Sequence, residues 1–388
     1  MAWLITREAD VRLALDDPRL SIDRQSSTTG YTGFALPPAL DANMLNKDAP
    51  DHTRLRRLAS GAFTRRRVDH LRPRIHDEAD RLLDKLAGHT PVDLIESFAA
   101  PLPLAVIGDL LGIPVSERPH FRTWTNTLLD PDPSQPQQAK DAVENMESFL
   151  QELVRHKRSH PTDDLLSDLI RFHEAGDALD SDELVSLAFL ILWAGYQNTT
   201  NLIGNATVAL FEHPGQLDSV RKNPQLSDGA VEELLRYAHS NQFAIRRFAT
   251  EPLVVDGIEI PRGDTVLLGL ASSNRDPRWA TDPEVMDLTN KQGQAHLAFG
   301  HGPHYCLGAP LARVEIRIAM TSLFDHFPDL QLATSVPELR WRRSFREHGL
   351  QALPVIPGLQ RPLAGGIEQH SESAGIRAST VVRPGSPR

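Results

Sequence analysis

The chain of 388 residues contains one cysteine, Cys306. It lies in the run Phe299-Gly300-His301-Gly302-Pro303-His304-Tyr305-Cys306-Leu307-Gly308-Ala309-Pro310-Leu311-Ala312-Arg313. A single thiol cannot close an internal disulfide, so its available chemistry is that of a metal ligand or a nucleophile. Either role needs the thiolate, and a thiolate needs its charge stabilised. Backbone N–H groups of a glycine-rich turn, with the first turn of the helix that opens near Pro310, offer that stabilisation. Gly300 and Gly302 allow backbone conformations closed to other residues, and Gly308 allows close approach of a flat cofactor. Phe299 can pack beside the sulfur and keep water away. A lone cysteine is more often a small buried hydrophobe; only the surrounding pattern argues otherwise. A Cys306–His304 nucleophile pair is the rival chemistry, but a spacing of two on a turn, with no orienting third group, argues against a hydrolase.

The run resembles the haem-binding signature of the cytochromes P450, and every specified position is present from Phe299 through Arg313. The resemblance implies haem b, with Cys306 as the axial ligand of the iron, whose thiolate pushes electron density toward the metal. It implies that Phe299, Gly300, His304, Cys306 and Gly308 form the cofactor cradle. Haem propionates need cations, ideally the fork of an arginine. His52 and Arg56, four apart on one helical face, resemble the family's His-x-x-x-Arg pair. Arg247 resembles a strand arginine that reaches a propionate, with Arg246 as the alternative, and His296 and His304 flank the loop at positions that reach the same carboxylates. Glu233 and Arg236, three apart, would ordinarily be a solvated surface pair of little worth. Their resemblance to the family's Glu-x-x-Arg element implies a buried structural pair instead. Asn274-Arg275-Asp276-Pro277 and Asp282-Pro283 also match.

The oxygen-side element departs from the family pattern. Ala194-Gly195-Tyr196-Gln197-Asn198-Thr199-Thr200 keeps the small pair Ala194 and Gly195, which line the cofactor face. It places Gln197 where an acid is usual and Asn198 where an alcohol assists proton delivery. Thr199 has the hydroxyl but lies about 100° further round the helix. Asn198, Thr199 and Gln197 are therefore the catalytic candidates. An amide with ordered water can do the same work; an atypical oxidation, such as oxidative coupling, cyclisation or peroxide-dependent turnover, is the alternative. A non-catalytic haem-binding protein is a third.

These residues need rigid elements to position them. A helix is predicted from about Asp182 to Glu212, capped by Asp180 or Ser181; apolar residues cover nearly its whole circumference from Leu184 to Trp193, so it should be central and buried. A helix follows over Gly229–Tyr237, and a last one over about Pro310–His326. Leu253–Ile260 reads as a strand pair turning on Asp256-Gly257. Residues 262–295 read as turn-rich. The predicted fold is mainly α with small peripheral β-sheets, the cytochrome P450 fold. Residues 1–357 are expected to form one domain lacking an N-terminal portion of the family, and 358–388 a disordered tail. A net charge of −10 argues against nucleic acid. The longest apolar run, 184–194, is too short for a bilayer, and one cysteine suits a cytoplasmic setting.

The chain carries no flavin or iron–sulfur motif, so ferredoxin and ferredoxin reductase are the expected electron donors, with O2. Arg57, Arg65, Arg66, Arg67, Arg313 and Arg317 are candidates for the docking face. The candidate substrate contacts are Trp193, Tyr196, Asn198, Phe243, Ala244 and Ile245, with the loop 24–47, which holds Tyr31 and Phe34, as a cover. The resemblance is to actinomycete enzymes that hydroxylate or epoxidise polyketides, macrolides and similar natural products.

Overall fold

The computed structural model describes residues 2–28, 37–88, 90–129, 134–174, 179–279, 282–289 and 295–360. Tyr31, Phe34 and the tail beyond residue 360 lie outside the described residues. The helices are α1 (Glu8–Asp16), α2 (Pro38–Asp41), α3 (Asp51–Ser60), α4 (Arg65–Asp84), α5 (Pro101–Leu111), α6 (Arg118–Leu129), α7 (Pro136–Ser159), α8 (Leu165–Glu174), α9 (Ser181–Glu212), α10 (Pro214–Lys222), α11 (Asp228–Ala238), α12 (Leu270–Ser273) and α13 (Ala309–His326).

Helix α9 is the axis of the fold. Asp180 closes a reciprocal capping box with Glu183, and Arg54 of α3 grips the Glu183 carboxylate. Residues from Glu183 to Leu192 are buried on every face, which explains a sequence with no polar stripe. α2, α5 and α13 pack around it. Gly195 faces α5 closely: a Cβ there would stand 2.7 Å from Ile107 Cδ1, so any larger residue would force the Ile107 side chain to shift.

The strands are short and lie at the margins, as the sequence predicts. β1 (Ala2–Ile5), β2 (Leu20–Ser21), β4 (Arg247–Ala249) and β7 (Thr265–Leu268) form one sheet in the order β1-β7-β4-β2. β3 (Val92–Asp93), β8 (Gln331–Leu332) and β9 (Pro354–Ile356) form a second. β5 (Leu253–Val255) and β6 (Ile258–Ile260) form the hairpin on Asp256-Gly257, both at positive φ as such a tight turn requires. Among the elements that escaped the sequence reading are β7 and α10. β7 lies in the stretch read as turns, because four residues give too short an alternation to detect, and α10 begins directly at Pro214, where proline serves as a first helical residue rather than as a terminator. Among the described residues, no helix is long and apolar enough to cross a membrane.

Candidate active site

Behind the cysteine loop lies a cavity of about 280 Å³. The loop is built by its own backbone. Gly300 N–H donates to Leu297 O at 2.9 Å, Cys306 N–H to Phe299 O at 2.9 Å, and Tyr305 N–H to Gly302 O at 3.0 Å. Gly300 and Gly302 take φ of 71° and 66°, so the turn is closed to side chains that avoid the left-handed region. The Cys306 sulfur sits deep in the chain but faces the open cavity. Burial pushes its thiol up. The backbone N–H groups of Gly308 and Ala309, and the charges of Arg56 and Arg313, pull it back toward the thiolate. Phe299 lines the cavity beside the sulfur, and Arg313 stacks 4.7 Å above its ring.

The loop is held in place from α11. Arg236 and Glu233 pair at 2.8 Å with both side chains buried. Arg236 also donates to the carbonyls of Asn274, Pro283 and Val285, and Glu233 accepts from Asp287 N–H. Asn274 in turn accepts from Leu297 N–H at 2.6 Å, one residue before Ala298 and the cysteine loop. The pair is thus a clamp on the segment that leads into the sulfur ligand.

One cavity wall collects two arginines and two histidines with little to balance them. His52 and Arg56 from α3, Arg247 from β4 and His304 from the loop all line it. His52 and His304 stack with centroids 4.0 Å apart. Burial, then the neighbouring cations, drive His304 down to about 3, and the same causes lower His52. Burial pulls the Arg247 guanidinium down as well. Among the described residues, His52 Nε2 and Arg247 Nε meet no hydrogen-bond acceptor. The carboxylate nearest in charge to both, Asp48, is engaged by Ser21 and Ile22. Buried donors without acceptors are costly, so this wall is shaped for carboxylates that arrive with a ligand. Arg56 meanwhile donates to Tyr305 O at 2.6 Å, tying α3 to the loop.

The opposite wall is α9. Leu190, Ile191, Ala194, Gly195, Asn198, Thr199 and Leu202 line the cavity, a stripe at helical spacing. Asn198 Nδ2 donates to Ala194 O at 3.3 Å, and its Oδ1 accepts from the Ser240 hydroxyl at 3.1 Å. Glu315 of α13, fully buried, hydrogen-bonds Thr199 and lines the same cavity, and burial pushes its carboxyl well above the usual range. Phe243, Ala244 and Ile245 form a third side.

Four sequence-based expectations are corrected. Trp193, Tyr196 and Gln197 fall off the α9 stripe and do not line the cavity. Trp193 packs against Phe189, Tyr196 is buried against Phe121, and Gln197 donates to Asn201 at 3.3 Å. His296 does not join the cation wall. Its Nδ1 accepts from Ala298 N–H, which leaves the proton on Nε2, and Nε2 stands 3.2 Å from the Glu232 carboxylate, off the hydrogen-bond line. Glu232 is claimed again by Arg313 at 2.5 Å, and these partners outweigh burial to hold its carboxyl down at about 2. Arg313 is thereby committed to an internal pair rather than to a docking face. Glu315 and Ser240 were missed. An acid on the apolar Leu311-Val314-Ile318 stripe was the signal for the first; nothing in the sequence marks the second.

This is a helical fold with a cysteine loop on one side of a cavity and a wall of basic side chains beside it. The family model for cytochrome P450 matches residues 120–339. Cytochrome P450 107B1 of Saccharopolyspora erythraea is 46% identical over 367 residues, covering 92% of this chain and 89% of the relative. The polyketide biosynthesis cytochrome P450 PksS of Bacillus subtilis is 38% identical over 359 residues, covering 91% and 88%. Among solved structures, the tirandamycin C-bound P450 monooxygenase TamI superposes with a TM-score of 0.85 at 42% identity, covering 92% of this chain and 90% of TamI. The chain belongs to the cytochrome P450 family, as a monooxygenase, and haem-thiolate chemistry is what that family carries. The cation wall and the amide-lined sulfur fit such a group.

Proposed function

We propose that the chain inserts one oxygen atom into a polyketide-type secondary metabolite, by hydroxylation or epoxidation, using haem b, O2 and electrons passed from a ferredoxin and its reductase in the cytoplasm. The observation that carries the reading is the shared cavity: one wall presents Cys306, a second presents His52, Arg56, Arg247 and His304 with no ion pair to any of them among the described residues, and a third presents the α9 stripe. Haem b, when bound, supplies the oxygen-activating chemistry. Cys306 would ligate the iron, with the Gly308 and Ala309 N–H groups stabilising its charge. Arg247, Arg56, His52 and His304 would hold the two propionates. Asn198 and the Thr199 hydroxyl would present hydrogen bonds on the oxygen side, and Phe243, Ala244 and Ile245 would bound the substrate. The substrate class draws support from PksS, by its name a polyketide biosynthesis enzyme, and from TamI, which holds tirandamycin C.

Arg65 and Arg66 are exposed on the first turn of α4, Arg65 at 3.8 Å from the solvated Asp69 carboxylate, and remain candidates for ferredoxin docking. Arg67 and Arg317 are each paired, with Asp168 and Asp228. A second reading, an atypical oxidation such as coupling or cyclisation, rests on Gln197 facing away from the cavity and on Asn198 having both its amide groups engaged.

The test is the reduced carbon-monoxide spectrum of the purified protein, followed by turnover with a surrogate ferredoxin and reductase. Wild type is expected to show the red-shifted band of sulfur ligation, and Cys306→Ala to lose it. Colourless protein, or a band that survives in Cys306→Ala, overturns the haem-thiolate reading. Electron consumption that never yields an oxygenated product from a panel of polyketides overturns the proposed reaction.

A further inference from the structure

The cations on the haem wall are not the only arginine group at this cavity. Arg340, Arg342, Arg343 and Arg346 fall within seven residues of a chain whose net charge is −10. They share one hairpin, closed by the Trp341–Leu350 bridge and by Arg342 N–H donating to Gly349 O at 2.8 Å. Elsewhere the arginines are mostly neutralised: Arg54, Arg118, Arg236, Arg313 and Arg317 each hold a carboxylate. Among the described residues, none of the four hairpin arginines forms an ion pair. The acid in their midst is Glu347, and burial pushes its carboxyl up against the pull of Arg346 and Arg342.

The hairpin is fixed over the cavity mouth. Gln242 N–H donates to Arg346 O at 2.8 Å, and Asn241 bridges Glu347. Phe345, 69% exposed, stacks on Phe243 at 4.6 Å with the rings 17° apart. Phe243 and Arg346 both line the cavity. The mouth therefore joins an aromatic pair to a solvent-facing guanidinium that lacks an acceptor, and the inner lining is largely apolar. Glu315 is the acid in that lining, tied to Thr199.

We infer that the hairpin selects substrates carrying a carboxylate, which Arg346 receives at the mouth while the apolar body extends inward past Phe243 and Ile245. The inference rests on the reading of this cavity as the substrate chamber of a haem-thiolate enzyme, and it narrows the metabolite class to acidic members. Arg340, Arg342 and Arg343 add a positive field that draws anions toward the mouth. Arg346 forms the ion pair; a guanidinium suits a carboxylate because two parallel N–H groups match its two oxygens. Both contributions are partly solvated, so added salt weakens them.

The experiment titrates the ferric holoprotein, near neutral pH and at low salt, with dodecanoate and with dodecanol, reading the shift of the haem absorption band. Dodecanoate is expected to bind roughly tenfold more tightly than dodecanol, a difference of about 1.4 kcal/mol. That preference should vanish in Arg346→Gln, survive in part in Arg346→Lys, and shrink as salt is added. Dodecanol binding stays as in wild type. Equal affinity for the two probes in wild type, no measurable dodecanoate binding, or a preference unchanged in Arg346→Gln overturns the inference. A missing sulfur-ligation band in the same preparation instead overturns the underlying haem-thiolate reading, so the two failures are distinct.

Discussion

The sulfur side of the cavity and the α9 wall are built on different plans. On the sulfur side, each functional group has several independent supports: the loop hydrogen-bonds itself, Arg236 clamps the approach segment, Arg56 ties α3 to Tyr305, and Arg313 and His296 share Glu232. On α9, the oxygen-side groups hang on few contacts: Asn198 on Ala194 and Ser240, and Thr199 on Glu315. A redundant frame fixes a cofactor whose geometry never varies. A sparse wall leaves room for change in what is oxidised and how protons reach it. Substitutions on the two sides should therefore differ in kind: loss of structure or cofactor on one, a change in reaction outcome on the other.

The largest effect is expected at the clamp. Arg236→Ala leaves Glu233 buried and unpaired and frees three carbonyls, and breaking a buried pair in this way costs about 3–5 kcal/mol. Chemical denaturation of the holoprotein should show that loss, together with poor haem retention. A stability within about 1 kcal/mol of wild type would mean that the sulfur side is not built on this pair, and the contrast between the walls would fail there.

Next comes the cation wall. Arg247→Leu removes a buried charge that has no partner of its own yet should hold a propionate. Hydrogen bonds to charged groups are worth about 1.5–3 kcal/mol, so haem should leave roughly ten- to hundredfold faster, read as transfer to apomyoglobin. Since the apoprotein loses an uncompensated charge, its own stability should rise or stay level. Slower transfer than wild type would contradict the assignment.

Glu232 gives a smaller and pH-dependent effect. Its folded carboxyl titrates at about 2, against an ordinary value of 4.5, so its stabilisation is complete above pH 4.5 and is lost as pH falls from there toward 2. With the side chain partly exposed, about 2 kcal/mol is a reasonable size after allowance for screening. Denaturation profiles of wild type should steepen across that window, and those of Glu232→Gln should flatten in it. Parallel profiles would remove the carboxylate from the frame.

Much of the sulfur side was legible in the sequence because its chemistry ties residue type to spacing. A glycine at positive φ, a thiol and a helix start have few substitutes, so Gly300, Gly302 and Cys306 could be placed without coordinates. His296 could not. Nearness in sequence to the loop says nothing about which acid captures a side chain, and Glu232 comes from α11. On α9, the helical repeat that places Asn198 and Thr199 on the cavity also excludes Trp193, Tyr196 and Gln197. Trp193 and Tyr196 are expected from the sequence as substrate contacts, and Gln197 as the residue in the place of an acid, but helix phase decides direction. Ser240 was invisible because its partnership with Asn198 spans 42 residues. The capping box of α9 was legible as local chemistry between Asp180 and Glu183.

The smallest expected effect falls on the sparse wall and sharpens the comparison most. Asn198→Thr restores a hydroxyl at a position where the amide now donates to Ala194 O and accepts from Ser240. A threonine can still back-bond to that carbonyl, so the helix is kept, while the Ser240 hydroxyl loses its acceptor. If amide and ordered water already handle proton delivery, product formed per NADPH consumed should change by less than about twofold, with haem content and stability as in wild type. A large gain in that ratio would show that the amide diverts electrons from oxygen insertion, and the atypical-oxidation reading would take precedence. A loss of haem would mean that the α9 wall shares the structural burden of the sulfur side, and the two-plan description of the cavity would fall with it.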